Sequence, residues 1–281
     1  MKKYVLDLRV TENTMLSHDY FLLKLTAVNP LPEMRPGQFV EVRIDGSPPT
    51  FLRRPLSINF VDREKNELWL LVQNIGPGTC RMATYRVGEM VNLLMPLGNG
   101  FTLPNQYAAN TTNGEKQNIH SGFTVPCDPD DMRLLLIGGG VGTAPLLFLG
   151  DELKQAGFEP VFLIGARRKE DLVQHLDFQK IGKVYKTTED GSMGEKGYVT
   201  DHSILREKAF DRIYTCGPKP MMVAVAKYAV SKGIDCEVSL ENTMACGFGT
   251  CLCCVEQTIE GNKCVCTEGP VFNINQLTWL S

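Results

Sequence analysis

The stretch "RLLLIGGGVGTAPLLFLGDELKQAGFEPVFLIGAR", residues 133 to 167, decides the fold. Its first segment is uniformly apolar, as a strand buried on both faces must be, and it runs straight into glycines. Leu146, Leu147, Leu149 and Leu153 then recur at helical spacing from Pro145 to Ala156, with Pro145 suited to a first turn and Gly157 to a C-cap. A second apolar strand, "PVFLIGAR", follows at once. Strand, helix and strand in so short a span make a βαβ unit of a parallel sheet. "DRIYTCGP" (211 to 218) and the helical "KPMMVAVAKYAVSKG" (219 to 233) extend the scheme.

Upstream the pattern differs. "QFVEVRI" (38 to 44), "ELWLLVQ" (67 to 73) and "EMVNLLMP" (89 to 96) alternate with Pro and Gly turns, the spacing of a small antiparallel barrel. A small antiparallel sandwich has the same spacing. The strands are interrupted by "GPGTCRMATYRVG" (76 to 88), in which Thr79 can cap a short helix that Gly88 closes. From Pro104 to Asp131 the chain turns polar and aperiodic, which reads as a linker or insertion. The expected division is an antiparallel barrel over 1–103, the polar segment 104–131, a parallel α/β domain over 132–235 and a cysteine-rich module over 236–281.

Composition narrows the function classes. The 281 residues are 43% hydrophobic and 22% charged with a formal net charge of −3, so there is no basic footprint for nucleic acid. Asp7 and Arg9 interrupt any apolar run at the start, and no stretch is long enough to span a bilayer. A cytoplasmic protein is expected. Its thiols would be kept reduced, which favours a metal over disulfides for clustered cysteines.

"GGGVGTAPL" (138 to 146) lies between strand and helix, where backbone amides meet a phosphate. It lacks the Gly-Lys-Ser/Thr of a nucleoside-triphosphatase loop, and Thr143 or Pro145 stands where the dinucleotide fingerprint has its last glycine. A tight turn needing glycine only for packing is the other reading. "RRPLSI" (53 to 58) and "NIGPGT" (74 to 79) add a guanidinium for a diphosphate, a serine for a flavin edge and a turn with open amides.

The order Arg-Pro-x-Ser, Gly-x-Gly-Thr, "GGGVGTAPL" and Cys-Gly-Pro resembles the ferredoxin reductase family, whose members join a flavin-binding barrel to a nicotinamide-binding parallel sheet. The resemblance implies that Arg54, Pro55, Leu56 and Ser57, strand residues Leu71, Val72 and Gln73, and Gly78 with Thr79 hold FAD. It implies a nicotinamide dinucleotide site at Gly140, Gly142, Thr143, Cys216 and Gly217. Leu56 departs from the family, in which many members carry a tyrosine that stacks on the flavin.

Six of ten cysteines lie between positions 246 and 266. Cys246, Cys251 and Cys254 have the C-x4-C-x2-C spacing of a plant-type [2Fe-2S] site, and Cys266 would complete four thiolates. Gly247 and Gly249 would let the loop wrap and aim its amides at sulfur. Cys251, Cys254, Cys264 and Cys266 can alternatively be read as a tetrahedral zinc site, although its second half lacks C-x2-C and it leaves Cys246 without a use. Cys80, Cys127 and Cys236 read as isolated core or surface residues.

"SLENTMACGFGTCLCCVEQ" followed by "CVCTEGPVF" is similar to the iron-sulfur C-terminus of the electron transfer subunits of type B, NAD-linked dihydroorotate dehydrogenase. That resemblance makes Cys246, Cys251, Cys254 and Cys266 the ligands and leaves Cys253 and Cys264 out. It implies a relay in pyrimidine biosynthesis. Electrons from an FMN-containing catalytic subunit pass through [2Fe-2S] and FAD to NAD+, in a heterotetramer of two of each subunit. Other flavin and iron-sulfur reductase subunits, of the ferredoxin:NADP oxidoreductase or sulfide dehydrogenase type, are the alternative, and they tend to carry Asp at the position of Cys246. A zinc-stabilised nucleotide-binding module is the non-enzymatic alternative. His18, His120, His175 and His202 form no recognisable acid-base set, so oxidation of the organic substrate is expected on the partner. Arg167 and Arg168 in "GARRKEDL" leave NAD and NADP undecided by spacing alone.

Overall fold

The computed structural model describes residues 2–104 and 132–280. Cys127, His120 and the polar segment beyond Pro104 lie outside the described residues.

Strands β1 (Tyr4–Met15), β2 (Tyr20–Thr26), β3 (Phe39–Val42), β4 (Arg54–Ser57), β5 (Phe60–Asp62), β6 (Glu67–Gln73) and β7 (Met90–Leu97) form one seven-stranded sheet. Its order is β4-β3-β7-β1-β2-β6-β5, and every neighbouring pair is antiparallel. With β4 and β5 at the two ends of the order, the sheet is a half-barrel closed by side chains. Leu8, Phe21, Leu23, Leu25, Leu68 and Leu70 fill it and are fully buried. β2 is covered on both faces, because Tyr20 packs outward against Ala144, the first residue of a helix, and the loop residue Val173, both from the second half of the chain. An apolar run without alternation is therefore the correct pattern for this strand.

Helix α1 (Pro77–Ala83) begins three residues before the start expected with Thr79 as its cap. Gly76 is the N-cap, and Thr79, three residues in, reaches back. Its Oγ1 accepts from the backbone N–H of Ile75 and Gly76, both at 3.0 Å. The helix ends at Ala83, and Gly88 (φ +95°) belongs to the turn before β7.

The second sheet contains β8 (Leu134–Gly139), β9 (Val161–Ala166), β10 (Lys183–Thr188), β11 (Glu195–Lys196), β12 (Arg212–Cys216), β13 (Asp235–Ser239) and β16 (Val271–Asn273), in the order β11-β10-β9-β8-β12-β13-β16. All pairs are parallel except β13 with β16. Helices α2 (Ala144–Gln155), α3 (His175–Ile181), α4 (Ile204–Glu207) and α5 (Lys219–Lys232) make the connections. α2 starts one residue earlier than expected and closes at Gly157 (φ +92°), whose N–H bonds Lys154. The chain leaves β8 toward β9 on one side and returns through β12 on the other. That reversal opens a crevice at the carboxyl ends of β8 and β12, where open parallel sheets bind ligands.

A hairpin of β14 (Val255–Thr258) and β15 (Gly261–Cys264) precedes β16. β13 includes Cys236 and pairs with β16, so the second sheet takes its last strand from beyond the hairpin. Arg212, fully buried, ties β12 to β13 through Asp235 at 3.2 Å and Glu237 at 2.9 Å. Glu237 also accepts from the backbone N–H of Thr102 at 2.9 Å, anchoring the chain that leaves the half-barrel.

Candidate functional site

The crevice is a cavity of about 940 Å³. Gly140 lines it, in left-handed backbone at φ +57°, where the turn after β8 bends into α2. Gly142, Thr143, Cys216 and Gly217 are buried behind the wall. A Cβ on Gly142 would stand 2.4 Å from Gly217 Cα, so glycine here lets the ends of β8 and β12 touch. Thr143 Oγ1 donates to the carbonyl of Gly140 at 3.0 Å and fixes the turn. Of the five residues expected at the nicotinamide site, one faces the cavity and four give it its shape. Asp19, Tyr20 and Gln73 reach the same cavity from the half-barrel.

The second set converges on β4. A Cβ on Gly78 would lie 3.1 Å from Arg54 Nε and from Thr50 Cγ2, so the "GPGT" turn is packed directly on the arginine of "RPLS". Both stretches expected to hold FAD thus share one corner. Leu56 and Ser57 are half-buried in β4. Leu71, Val72 and Gln73 pair with β2 on one side, while β5 ends its ladder at Trp69 on the other. That leaves a short strand edge able to hydrogen-bond a planar ligand.

The third set is the cysteine loop. All nine cysteines among the described residues are free thiols. Gly247 (φ +72°), Gly249 (φ +85°) and Leu252 (φ +58°) wind the loop through left-handed backbone. Gly249 N–H donates to Cys266 Sγ at 3.1 Å, and Cys266 N–H to Cys254 Sγ at 3.3 Å. Cys254 and Cys266 are buried, Cys246 half-buried and Cys251 exposed. Partial burial opposes ionisation of Cys246, yet the N–H groups of Phe248, Cys251 and Thr250 outweigh it and bring the thiol down to about 6. Burial, and then the Cys254 sulfur, push Cys266 the other way, up to about 12. Partly buried, crowded thiols that also receive backbone N–H bonds suit a cationic centre, which removes the repulsion between their sulfurs.

Among the described residues no group of three or more His, Cys, Asp or Glu side chains is arranged around a single metal ion. A [2Fe-2S] centre divides four thiolates between two irons, and amides aimed at sulfur are its usual company. Cys246, Cys251, Cys254 and Cys266, the four expected from the sequence, supply thiolates of the kind that group needs.

One side chain joins the second set to the third. Glu41 on β3 is fully buried, and neither carboxylate oxygen has a hydrogen-bond partner among the described residues. Its register partner is Pro55 of β4. A Cβ on Gly247 would lie 2.9 Å from Glu41 Cγ. Burial raises this carboxyl to about 7, against the pull of Arg53. Glu41 was missed from sequence, although a lone acid in "QFVEVRI" flanked by Val40 and Val42, which both bury, was a usable signal.

The chain matches two families. Residues 241–278 match the iron-sulfur cluster binding domain of dihydroorotate dehydrogenase B, and residues 136–227 the oxidoreductase NAD-binding domain. It is 34% identical over 282 residues, covering 99% of both chains, to the dihydroorotate dehydrogenase B (NAD(+)) electron transfer subunit of Shouchella clausii (strain KSM-K16). Its identity to the subunit of the same name from Fusobacterium nucleatum is 33%, over 95% of each chain. Among solved structures, it superposes with a TM-score of 0.78 on a chain of the NADH-dependent reduced ferredoxin-NADP oxidoreductase, described for flavin-based electron bifurcation. The two are 27% identical, over 97% of this chain and 90% of that one. Fold and site define an oxidoreductase subunit with a NAD-binding and an iron-sulfur cluster-binding domain. The chain belongs to the family of dihydroorotate dehydrogenase B (NAD(+)) electron transfer subunits. Among the described residues no helix is long and apolar enough to cross a membrane.

Proposed function

We propose that this chain carries electrons from an FMN-containing dihydroorotate dehydrogenase catalytic subunit to NAD+, in a complex with two copies of each subunit. The observation that carries this reading is the place of Glu41, which pairs with Pro55 of the flavin strand and touches the cluster loop at Gly247. Gln73 makes the corresponding link on the other side, ending the open edge of β6 and lining the nicotinamide cavity. The three sets therefore follow one another as cluster loop, flavin corner and dinucleotide cavity. Short separations of this kind suit electron transfer.

Nicotinamide exchanges a hydride and an iron-sulfur cluster single electrons, while a flavin does both. The residues supply binding and orientation. Arg54 offers its guanidinium to the FAD diphosphate beside Gly78 and Thr79. Pro55, Leu56 and Ser57 form one wall of the flavin site, and Leu71, Val72 and Gln73 offer backbone groups along the other. Gly140 opens the cavity to the NAD phosphates, while Gly142, Thr143, Cys216 and Gly217 hold its floor. Cys246, Cys251, Cys254 and Cys266 hold the cluster. Phe248 and Leu252, both more than half exposed on that loop, face outward and suit contact with the partner subunit.

The described histidines give no second chemistry. His18 is exposed beside Asp19, His175 bonds the carbonyl of Leu172, and His202 is buried against Glu195. Oxidation of dihydroorotate accordingly falls to the partner. The test is to purify the chain with its catalytic subunit anaerobically and measure iron, acid-labile sulfide, flavin and the visible spectrum. About two irons, two sulfides and one FAD per chain are expected. A colourless chain holding zinc would overturn this reading.

A further inference from the structure

Arg168 stands two residues beyond the end of β9, at the point of a parallel sheet where the adenosine ribose of a dinucleotide is read. An arginine there ordinarily accommodates a 2′-phosphate. In this chain its Nε lies 3.4 Å from Asp171 Oδ2 and its Nη2 3.5 Å from Asp19 Oδ2. Nε and Nη2 make up the edge through which a guanidinium grips an oxyanion with two parallel hydrogen bonds. Both of its donors already face carboxylates, one from the same turn and one from the half-barrel loop after β1.

Charge points the same way. Arg167, Arg168, Asp19, Asp171 and Glu189 line this end of the cavity, so three carboxylates face two guanidinium groups. A 2′-phosphate would bring about two further negative charges into that field. A ribose 2′-hydroxyl brings none, and it can donate to a carboxylate.

We propose that Asp19 and Asp171, by occupying the phosphate-gripping edge of Arg168, are the specificity determinants that make the cavity select NAD(H) against NADP(H). The inference rests on the reading of this cavity as the nicotinamide dinucleotide site. Asp19 belongs to the flavin half of the chain, so selection of the dinucleotide is shared between the two sheets.

The test is equilibrium titration of the complex with NAD+ and with NADP+, for the wild type, Asp19→Asn and Asp19→Asn/Asp171→Asn. The wild type should bind NAD+ at least about tenfold more tightly. The double variant should narrow that ratio about tenfold, chiefly by binding NADP+ better, and Asp19→Asn should act in the same direction to a smaller extent. Asp19→Asn changes one half-buried side chain in the loop between β1 and β2, so the comparison survives if the double variant fails to fold. A wild-type ratio near one, or a ratio unmoved in both variants, would overturn the assignment while leaving NAD+ binding at the cavity intact. Failure of the wild type to bind NAD+ would instead remove the reading of the cavity itself.

Discussion

Asn59 and Gln174 exchange amide hydrogen bonds, each donating to the other at 3.1 Å across the seam between the half-barrel and the parallel sheet. Asn59 is fully buried, and its Nδ2 also donates to the carbonyl of Ala144 at 3.0 Å, at the start of α2. Gln174 accepts a left-handed backbone (φ +55°) to present its amide there. Such reciprocal pairs fix register as well as energy, because Gln174 left alone would bury its amide without this partner and Asn59 would keep only the Ala144 carbonyl.

Asn59→Ala should therefore cost roughly 1–3 kcal/mol, the penalty of stranding a buried amide, measured by urea unfolding of the complex. A loss under about 0.5 kcal/mol would show that the apolar contacts of Tyr20 and Val173 hold the seam by themselves.

Glu41 should make stability fall as pH rises. Its carboxyl is raised to about 7 by burial, so the folded chain keeps a proton that the unfolded chain releases in the ordinary carboxylate range. Between those values folding binds the extra proton, and the penalty for ionising it grows until pH passes about 7. Glu41→Gln should remove up to roughly 3 kcal/mol of penalty above that pH and change little near pH 5. Thermal melts of both proteins from pH 5 to 8 measure it. Parallel curves would mean that Glu41 finds a partner when the site is loaded.

Cys253 and Cys264 separate the four-ligand assignment from a simple crowd of thiols. Cys253 is exposed, and Cys264 stands opposite Val255 at the end of β15 with its N–H bound to Glu268 at 2.7 Å. Serine at either position should leave iron content and the visible spectrum within about a tenth of wild type, whereas serine at Cys246 or Cys266 should lose most of both. Iron loss on replacing Cys264 would reopen the ligand set.

Much of this was legible in the sequence, for physical reasons. Buried parallel strands must be apolar and their turns must contain glycine, so β8, α2 and β9 could be read within a residue or so. Cysteine spacing is equally direct, since a cluster needs thiolates at loop-length intervals. Contacts made across the seam were not legible. Asn59, Gln174, Asp19 and Tyr20 meet residues more than a hundred positions away in most cases, and no local pattern records such a meeting. Thr79 shows the intermediate case: a threonine before a helix marked the start correctly in kind, but it acts from inside the first turn.

The proposed relay is tested most directly by Cys254→Ser in the complex with the catalytic subunit, assayed anaerobically. Cys254 is buried at the base of the loop, and its sulfur accepts from Cys266 N–H; on the proposed ligand set its replacement should remove the cluster while leaving the flavin corner and the cavity in place. Dihydroorotate-dependent reduction of NAD+ should fall at least about a hundredfold, while oxidation of NADH by an artificial acceptor should stay within about twofold. If both activities fell together, or if electrons still passed from dihydroorotate to NAD+, the cysteine loop would not be where electrons enter this chain.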